Sequence, residues 1–419
     1  MSKHIITALD IGTTKICAII ASYIEDNKLE VKGIGWCDSD GLDKGVVKDI
    51  QATSESIRKA LEDAESQAKC NAENIFMGIT GEHIRSINTI GRISISGPLG
   101  NEPSEIQQEH VDQVLEDAKK SIRIQKGMER HQILHGIPQY YEIDGHDSIQ
   151  NPINMSGFHL TAHVNIILAD VTAIRNLKKC VELAGYEVDE IVLEHLACSM
   201  SILTDVEKKL GCVLIDLGGG TSDISVFYQN SLYATYVVPS GGNNVTNDLA
   251  IGLRTTPKFA EYLKIEYGNC QSQTVDESQE VTVEGISGRS STTQKTRHIA
   301  MIIQHRMDEI LAQCYRMAVQ NYLPDRLTAG VVLTGGGALT KKTADLATGI
   351  FNLPVKIGYP DISKLSGPIS RMEDPQYATV IGLLYYAIEN DTYFTQNLSS
   401  RKLPSLSFKK IIDFFKEFK

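Results

Sequence analysis

Val213-Leu214-Ile215-Asp216-Leu217-Gly218-Gly219-Gly220-Thr221-Ser222-Asp223, followed by Ile224-Ser225-Val226-Phe227, reads as an apolar strand, an aspartate at its end, a glycine turn with hydroxyls, and a second apolar strand. The same order stands near the N-terminus: Ala8-Leu9-Asp10-Ile11-Gly12-Thr13-Thr14-Lys15, then Ile16-Cys17-Ala18-Ile19-Ile20. Hairpin tips built of Gly and Thr turn backbone N–H groups toward an anion. An aspartate beside such a tip can hold a hard cation through water. One Asp-x-Gly turn marks only a turn. Two copies in the same order predict two related halves that clamp a polyphosphate and its Mg²⁺ between them. The chain has no Walker A loop, and its Gly218–Gly220 run leads into a strand instead of a helix, unlike a Rossmann fingerprint.

The composition sets bounds around this reading. With 419 residues and 42% hydrophobic content, the chain is globular and too large for one core. Lys and Arg number 41 against 52 Asp and Glu, a net charge of -11, so nucleic acid is not the expected partner. The 8 cysteines form no C-x-x-C pair, which predicts buried free thiols instead of zinc ligands or disulfides. Asp10 and Lys15 interrupt the first apolar stretch, so no signal peptide is expected, and no uncharged run reaches bilayer-spanning length.

Along the chain, apolar spacing predicts a helix over 50–69 and a short strand over 75–80. A strand over 84–95, a charged amphipathic helix over 106–124 and strands over 133–143 and 158–168 form a block of different texture, read as an inserted subdomain. A helix over 171–184 ends at Gly185, a strand covers 188–193, and a mostly apolar helix covers 194–206. Beyond the second hairpin come a strand over 233–239, helices over 245–252 and 257–267, and a polar stretch, 270–298, read as a mobile loop with one strand at 281–283. A helix over 299–322 precedes Gly330-Val331-Val332-Leu333-Thr334-Gly335-Gly336-Gly337-Ala338, a buried strand with a triple-glycine turn.

Three glycine motifs in this order resemble the actin-like ATPase superfamily: residues 10–15 and 216–221 match its phosphate motifs and 334–338 its adenosine motif. Within it, nearly the whole chain resembles the FtsA family of bacterial cell-division proteins, with Val192-Leu193-Glu194 and Pro239-Ser240-Gly241-Gly242-Asn243 among the matching runs. Asn244 departs from the family pattern. The resemblance implies an α/β, two-lobed actin-like fold of duplicated RNase H-like domains. Its expected parts are a first core (1A) over 1–82 and 165–198, an inserted subdomain (1C) over 83–164, and a second core (2A) over 199–240 and 328–390. Subdomain 2B covers 241–327, a linker 391–404 and an amphipathic helix 405–419.

The resemblance also implies ATP and Mg²⁺. Asp10 and Asp216 are the metal-facing carboxylates, with strand-end turn caps as the other reading. Gly12, Thr13, Thr14 and Lys15, with Gly218, Gly219, Gly220 and Thr221, bind phosphate; Lys15 reads equally as a solvated surface lysine. Gly242 and Asn243 join the nucleotide set. Glu261 and Lys264 lie on one helix face and match ribose contacts, an ordinary intrahelical ion pair being the alternative. Gly335, Gly336, Gly337 and Ala338 let backbone approach adenine, or form a plain strand-to-helix turn. Glu194 matches the residue that positions the attacking water, and at most weak ATPase activity is expected. His195, a lone histidine in an apolar segment, reads as structural.

In the final segment Phe408, Ile411, Ile412, Phe415 and Phe418 recur at helical spacing, with Lys409, Lys410, Lys416 and Lys419 mostly elsewhere on the wheel. That reads as an interfacial anchor on an anionic membrane, or as a terminal helix docked on the protein's own core. The family implies a protein on the cytoplasmic face of the inner membrane at the division septum. It self-associates into filaments, receives the C-terminal peptide of FtsZ on 2B, with Arg306 as the contact residue, and recruits later division proteins. A small-molecule kinase and a chaperone-like ATPase are the competing classes.

Overall fold

The computed structural model describes residues 4–24, 28–95, 102–124, 127–319 and 326–390. The N-terminal repeat forms the hairpin Ile5–Ile11 and Lys15–Tyr23, with Asp10 opposite Cys17. Leu29–Asp38 continues the antiparallel meander on one side, and on the other Ile75–Ile79 and then Val188–Leu193 add parallel strands. Both hairpin strands are buried on two faces, so they read as unbroken apolar runs. Leu9, Ile11, Ile16, Ala18 and Ile20 face the helices Ile50–Ala68 and Val171–Ala184. Ile6, Ala8, Cys17, Ile19 and Ala21 face the helices Glu194–Ile202 and Ala378–Asn390.

The second repeat builds the same arrangement. Cys212–Leu217, Ser222–Tyr228 and Ser231–Val238 form a meander, extended by parallel strands Val331–Thr334 and Val355–Ile357. Both halves thus run three antiparallel strands followed by two parallel ones, and the duplication read in the motifs extends to whole sheets. The first sheet has one strand more, Leu365–Ser366 at its far edge.

Local chemistry sets the element ends. Asp49 caps the Ile50–Ala68 helix, accepting from the N–H groups of Gln51 and Ala52 at 2.9 and 3.0 Å. Gly185 ends the Val171–Ala184 helix at φ 99. The helix expected over 194–206 breaks after Ile202. Thr204 and Glu207 form a capping box there, which starts a separate helix, Asp205–Leu210. The stretch 270–298 also differs from expectation. Glu280–Val283 pairs with Thr292–Lys295 as a hairpin, whose second strand is polar and largely exposed and so carries no apolar alternation.

Residues 365–390 depart from the expected boundary of the second core: they return to the first half, through Leu365–Ser366 and through the Ala378–Asn390 helix. That helix packs tightly on Glu194–Ile202. A Cβ at Gly382 would lie 1.9 Å from the Ala197 carbonyl oxygen. Gly382→Val is therefore expected to destabilise by about 3 kcal/mol, because neither backbone can retreat. Denaturant melting checks this.

The inserted block is a four-stranded sheet, ordered His146–Ile149, His131–Ile143, His159–Asp170, Ile84–Ser94. One face is closed by the Gln108–Arg123 helix through Val114, Leu115, Ala118 and Ile122. The other face meets both halves. Gln139 and Asn165 each donate a carboxamide N–H to the Tyr233 carbonyl, at 3.1 and 3.2 Å, and Ser231 Oγ donates to the Pro138 carbonyl. His135 Nε2 accepts the Leu193 N–H at 3.0 Å. All eight cysteines are free. The expected linker 391–404 and terminal helix 405–419 lie outside the described residues. Among the described residues no helix is long and apolar enough to cross a membrane.

Candidate functional site

The two hairpin tips meet. A Cβ on Gly219 would lie 2.3 Å from Thr14 Cγ2, and one on Gly220 would lie 2.5 Å from Thr13 Oγ1. Only bare backbone allows this approach. Around the junction runs a cleft of about 330 Å³. Asp10, Gly12, Thr13, Thr14 and Lys15 line one wall, and Asp216, Gly218, Gly219, Gly220 and Thr221 the facing one. Glu194, Gly242, Asn243, Glu261, Lys264, Gly335, Gly336 and Gly337 border the same space.

Ala338 is not among the residues that line the cleft. It lies on the inner side of the Gly336–Leu339 turn, between lining residues Gly337 and Leu339, and its side chain joins the core of the second half. Arg306 and the residues Phe408, Ile411, Ile412, Phe415 and Phe418 are not part of the cleft. The former lies on the Thr296–Val319 helix, and the latter fall outside the described residues.

Several lining residues carried no signal that the sequence reading used. Thr80 Oγ1 donates to Asp223 Oδ2 at 2.7 Å, and both line the cleft. Asp223 lies opposite Asp216 in the second hairpin, so its place was available from the register. Val245, Ile265, Met307 and Leu339 supply an apolar side, and Gln376 and Thr379 close another. Lys264 Nζ bonds Glu261 Oε2 at 2.6 Å and the Gly242 carbonyl at 3.2 Å. It also bonds Thr246 Oγ1 at 2.9 Å, so the pair is tied to the start of the Gly242–Leu253 helix. Asn244 Oδ1 accepts the Gly241 N–H at 3.0 Å and steadies the same turn.

The electrostatics are those of a site that wants a cation. Burial raises Asp10 to about 6, Lys15 pulling it down and Asp216 pushing it up. Burial and Asp223 raise Asp216 to about 6, against Lys15 and the Thr379 hydroxyl. Asp223 rises to about 7 through burial, against bonds from Thr80 and Thr221. Glu194 rises well above the usual range through burial and its neighbours Asp10, Asp223 and Asp216. Its Oε1 is buried without a hydrogen-bond partner among the described residues. No three of the described His, Cys, Asp or Glu side chains converge closely enough to hold a metal directly. Asp10 and Asp216 are carboxylate oxygen donors of the kind that could hold a hydrated Mg²⁺. His195 is buried against the Tyr236 carbonyl and pushed down to about 4, a neutral structural residue.

A pH dependence follows. The folded values lie above the ordinary 3.8, so between about pH 4 and pH 7 the ligand-free protein takes up protons on folding, and stability present below about pH 4 is lost as pH rises to about 6 to 7. Asp223→Asn should therefore match the wild-type melting temperature only near pH 3 and exceed it by a margin that grows to several degrees by about pH 7 and then levels off. Thermal melts across that range, without metal, check the sign.

A sequence profile described as "Cell division protein FtsA" matches residues 213–382, and one described as "SHS2 domain inserted in FTSA" matches residues 81–168. "Cell division protein FtsA" of Pseudomonas aeruginosa is 36% identical over 391 residues, covering 93% of this chain and 91% of that protein. That of Neisseria meningitidis is 38% identical, covering 92% and 90%.

The chain belongs to the FtsA family of cell division proteins.

Solved structures agree on the fold beneath that FtsA membership. The PilM-PilN type IV pilus biogenesis complex superposes with a TM-score of 0.63 at 15% identity, over 91% of this chain and 98% of that one. MreB 5 of Spiroplasma citri bound to AMPPNP gives 0.55 at 14%, over 96% and 99%. The fold is actin-like, with the SHS2 insertion of FtsA carried on the first half.

Proposed function

We propose that this FtsA-family protein binds ATP with Mg²⁺ between its two halves. In this reading it assembles on the cytoplasmic face of the inner membrane at the division septum, tethers FtsZ and recruits later division proteins. The observation that carries the nucleotide part is the pair of glycine hairpins meeting tip to tip, each with an aspartate beside its tip, Asp10 buried and Asp216 half-buried. Gly12–Lys15 and Gly218–Thr221 would cradle the phosphates, Glu261 and Lys264 the ribose, and Gly335–Gly337 with Met307 the base. Asp10 and Asp216 would hold the hydrated Mg²⁺, whose charge offsets that of the transferring phosphate. Glu194 would orient a water, since phosphoryl transfer asks for positioning more than proton removal. Slow turnover at most is expected.

Titration calorimetry with ATP tests this reading. Saturable heat that requires Mg²⁺ supports it, and no heat in either condition overturns it. The assembly part rests on family membership, and its membrane part on the apolar face of 405–419.

For FtsZ, residues 241–327 remain the proposed receiving surface. Arg306 there is engaged by Asp248, Nε to Oδ2 at 2.6 Å and Nη2 to Oδ1 at 3.1 Å, and by Glu309 at 2.7 Å. These carboxylates neutralise much of its charge, so Arg306→Glu should weaken an acidic peptide only about threefold to tenfold. Unchanged peptide affinity in fluorescence anisotropy removes Arg306 from the interface.

A further inference from the structure

Lys15 opens the second strand of the first hairpin. Cys17 stands opposite Trp36 on the neighbouring strand, so Lys15 is the diagonal neighbour of that indole. Diagonal pairs on one sheet face lie within reach of long side chains. The Lys15 Nζ sits 4.4 Å from the Trp36 ring centroid and 5.7 Å from that of Tyr377, and it donates to the Gln376 carbonyl oxygen. The two rings are 5.5 Å apart. Lys15 lines the cleft, Trp36 and Tyr377 border a surface hollow with Arg371 and Asp374, and Gln376 lines both. Trp36 is 39% exposed.

One ammonium is therefore claimed from two directions. Outside the cleft, an indole face and a backbone carbonyl attract it. Inside, it is felt by Asp10 and Asp216, and the phosphate-facing backbone begins one residue away. With its ammonium on the ring, Lys15 still borders the cleft.

We propose that Trp36 is a positioning residue for Lys15. It holds the ammonium at the outer rim against the pull of polyphosphate oxygens, so it sets how tightly a nucleoside triphosphate is held. It also senses at the surface whether one is bound. The inference rests on the nucleotide reading of the cleft.

Trp36 is the 1 tryptophan of the chain, so the test needs no label. The full-length protein is titrated with ATP and Mg²⁺ by calorimetry and by tryptophan emission in parallel. The expected result is binding heat and an emission change with the same midpoint, because withdrawing a cation from an indole face alters its polar excited state. In Lys15→Met the emission change should vanish at saturating nucleotide. Trp36→Leu should tighten Mg²⁺–ATP about threefold by removing the outer competitor, and Trp36→Phe, which restores a ring face, should return most of the way to the wild-type affinity. Heat without an emission change in the wild type overturns the inference while leaving the nucleotide reading intact. So does a Trp36→Leu protein that melts like the wild type and binds ATP no more tightly. Absence of heat overturns the nucleotide reading and this inference with it.

Discussion

Asp216→Ala is expected to cost about thirtyfold in affinity for ATP measured with Mg²⁺, on the order of 2 kcal/mol, and very little without the metal. The side chain is held at the end of its strand, with Oδ2 accepting from the Thr379 hydroxyl at 3.2 Å. It shares the cleft with Asp10 and Asp223, and burial together with the Asp223 charge raises its proton affinity. Removing one member relieves that repulsion, so the folded protein should not suffer. A water-mediated contact to a divalent ion is worth several kcal/mol before solvent screening is counted, which leaves about the stated loss. Isothermal titration with and without Mg²⁺ separates the metal term from the nucleotide term. Equal losses in both conditions would place Asp216 among structural groups instead.

Removal of residues 405–419 is expected to abolish flotation with vesicles containing anionic lipid while leaving Mg²⁺–ATP binding unchanged. Each buried CH₂ contributes roughly 0.8 kcal/mol and each lysine near an anionic surface roughly 1 kcal/mol. One short helix must also lose chain entropy to order, so a single protein should attach reversibly. Where many copies assemble on one surface, later attachments become intramolecular and the helices act together. Phe415→Glu places a charge on the apolar face and should give a smaller loss of the same kind. A truncated protein that still floats would remove the segment as the anchor.

Much of the cleft is legible in the chain because glycine and aspartate punctuate apolar runs at the two hairpins, and those runs admit no other element. The parts that are not legible share a physical cause. Met307 and Ile265 reach the cleft from amphipathic helices, where an apolar residue looks the same whether it faces core or ligand. Thr80 and Gln376 are single polar residues at strand and helix ends, without a pattern of their own. Leu365–Ser366 is too short for any period, so the return of the chain to the first sheet leaves no trace in the sequence. Ala338 sits at the end of a glycine run that lines the cleft, yet its side chain takes the inner side of the short Gly336–Leu339 turn.

The grip of the inserted sheet on both halves has a mechanical meaning. The Tyr233 carbonyl, which receives the amides of Gln139 and Asn165, belongs to the strand beside the one that carries Asp223. The Leu193 N–H, held by His135, immediately precedes Glu194. A load applied to the inserted sheet from outside is thus delivered to two jaws at once, and a swing of one jaw alone must break bonds at the other. The sheet is thus a crossbar between the two jaws: any rotation that changed the gap between the aspartates would have to strain the bonds it makes to one jaw or the other.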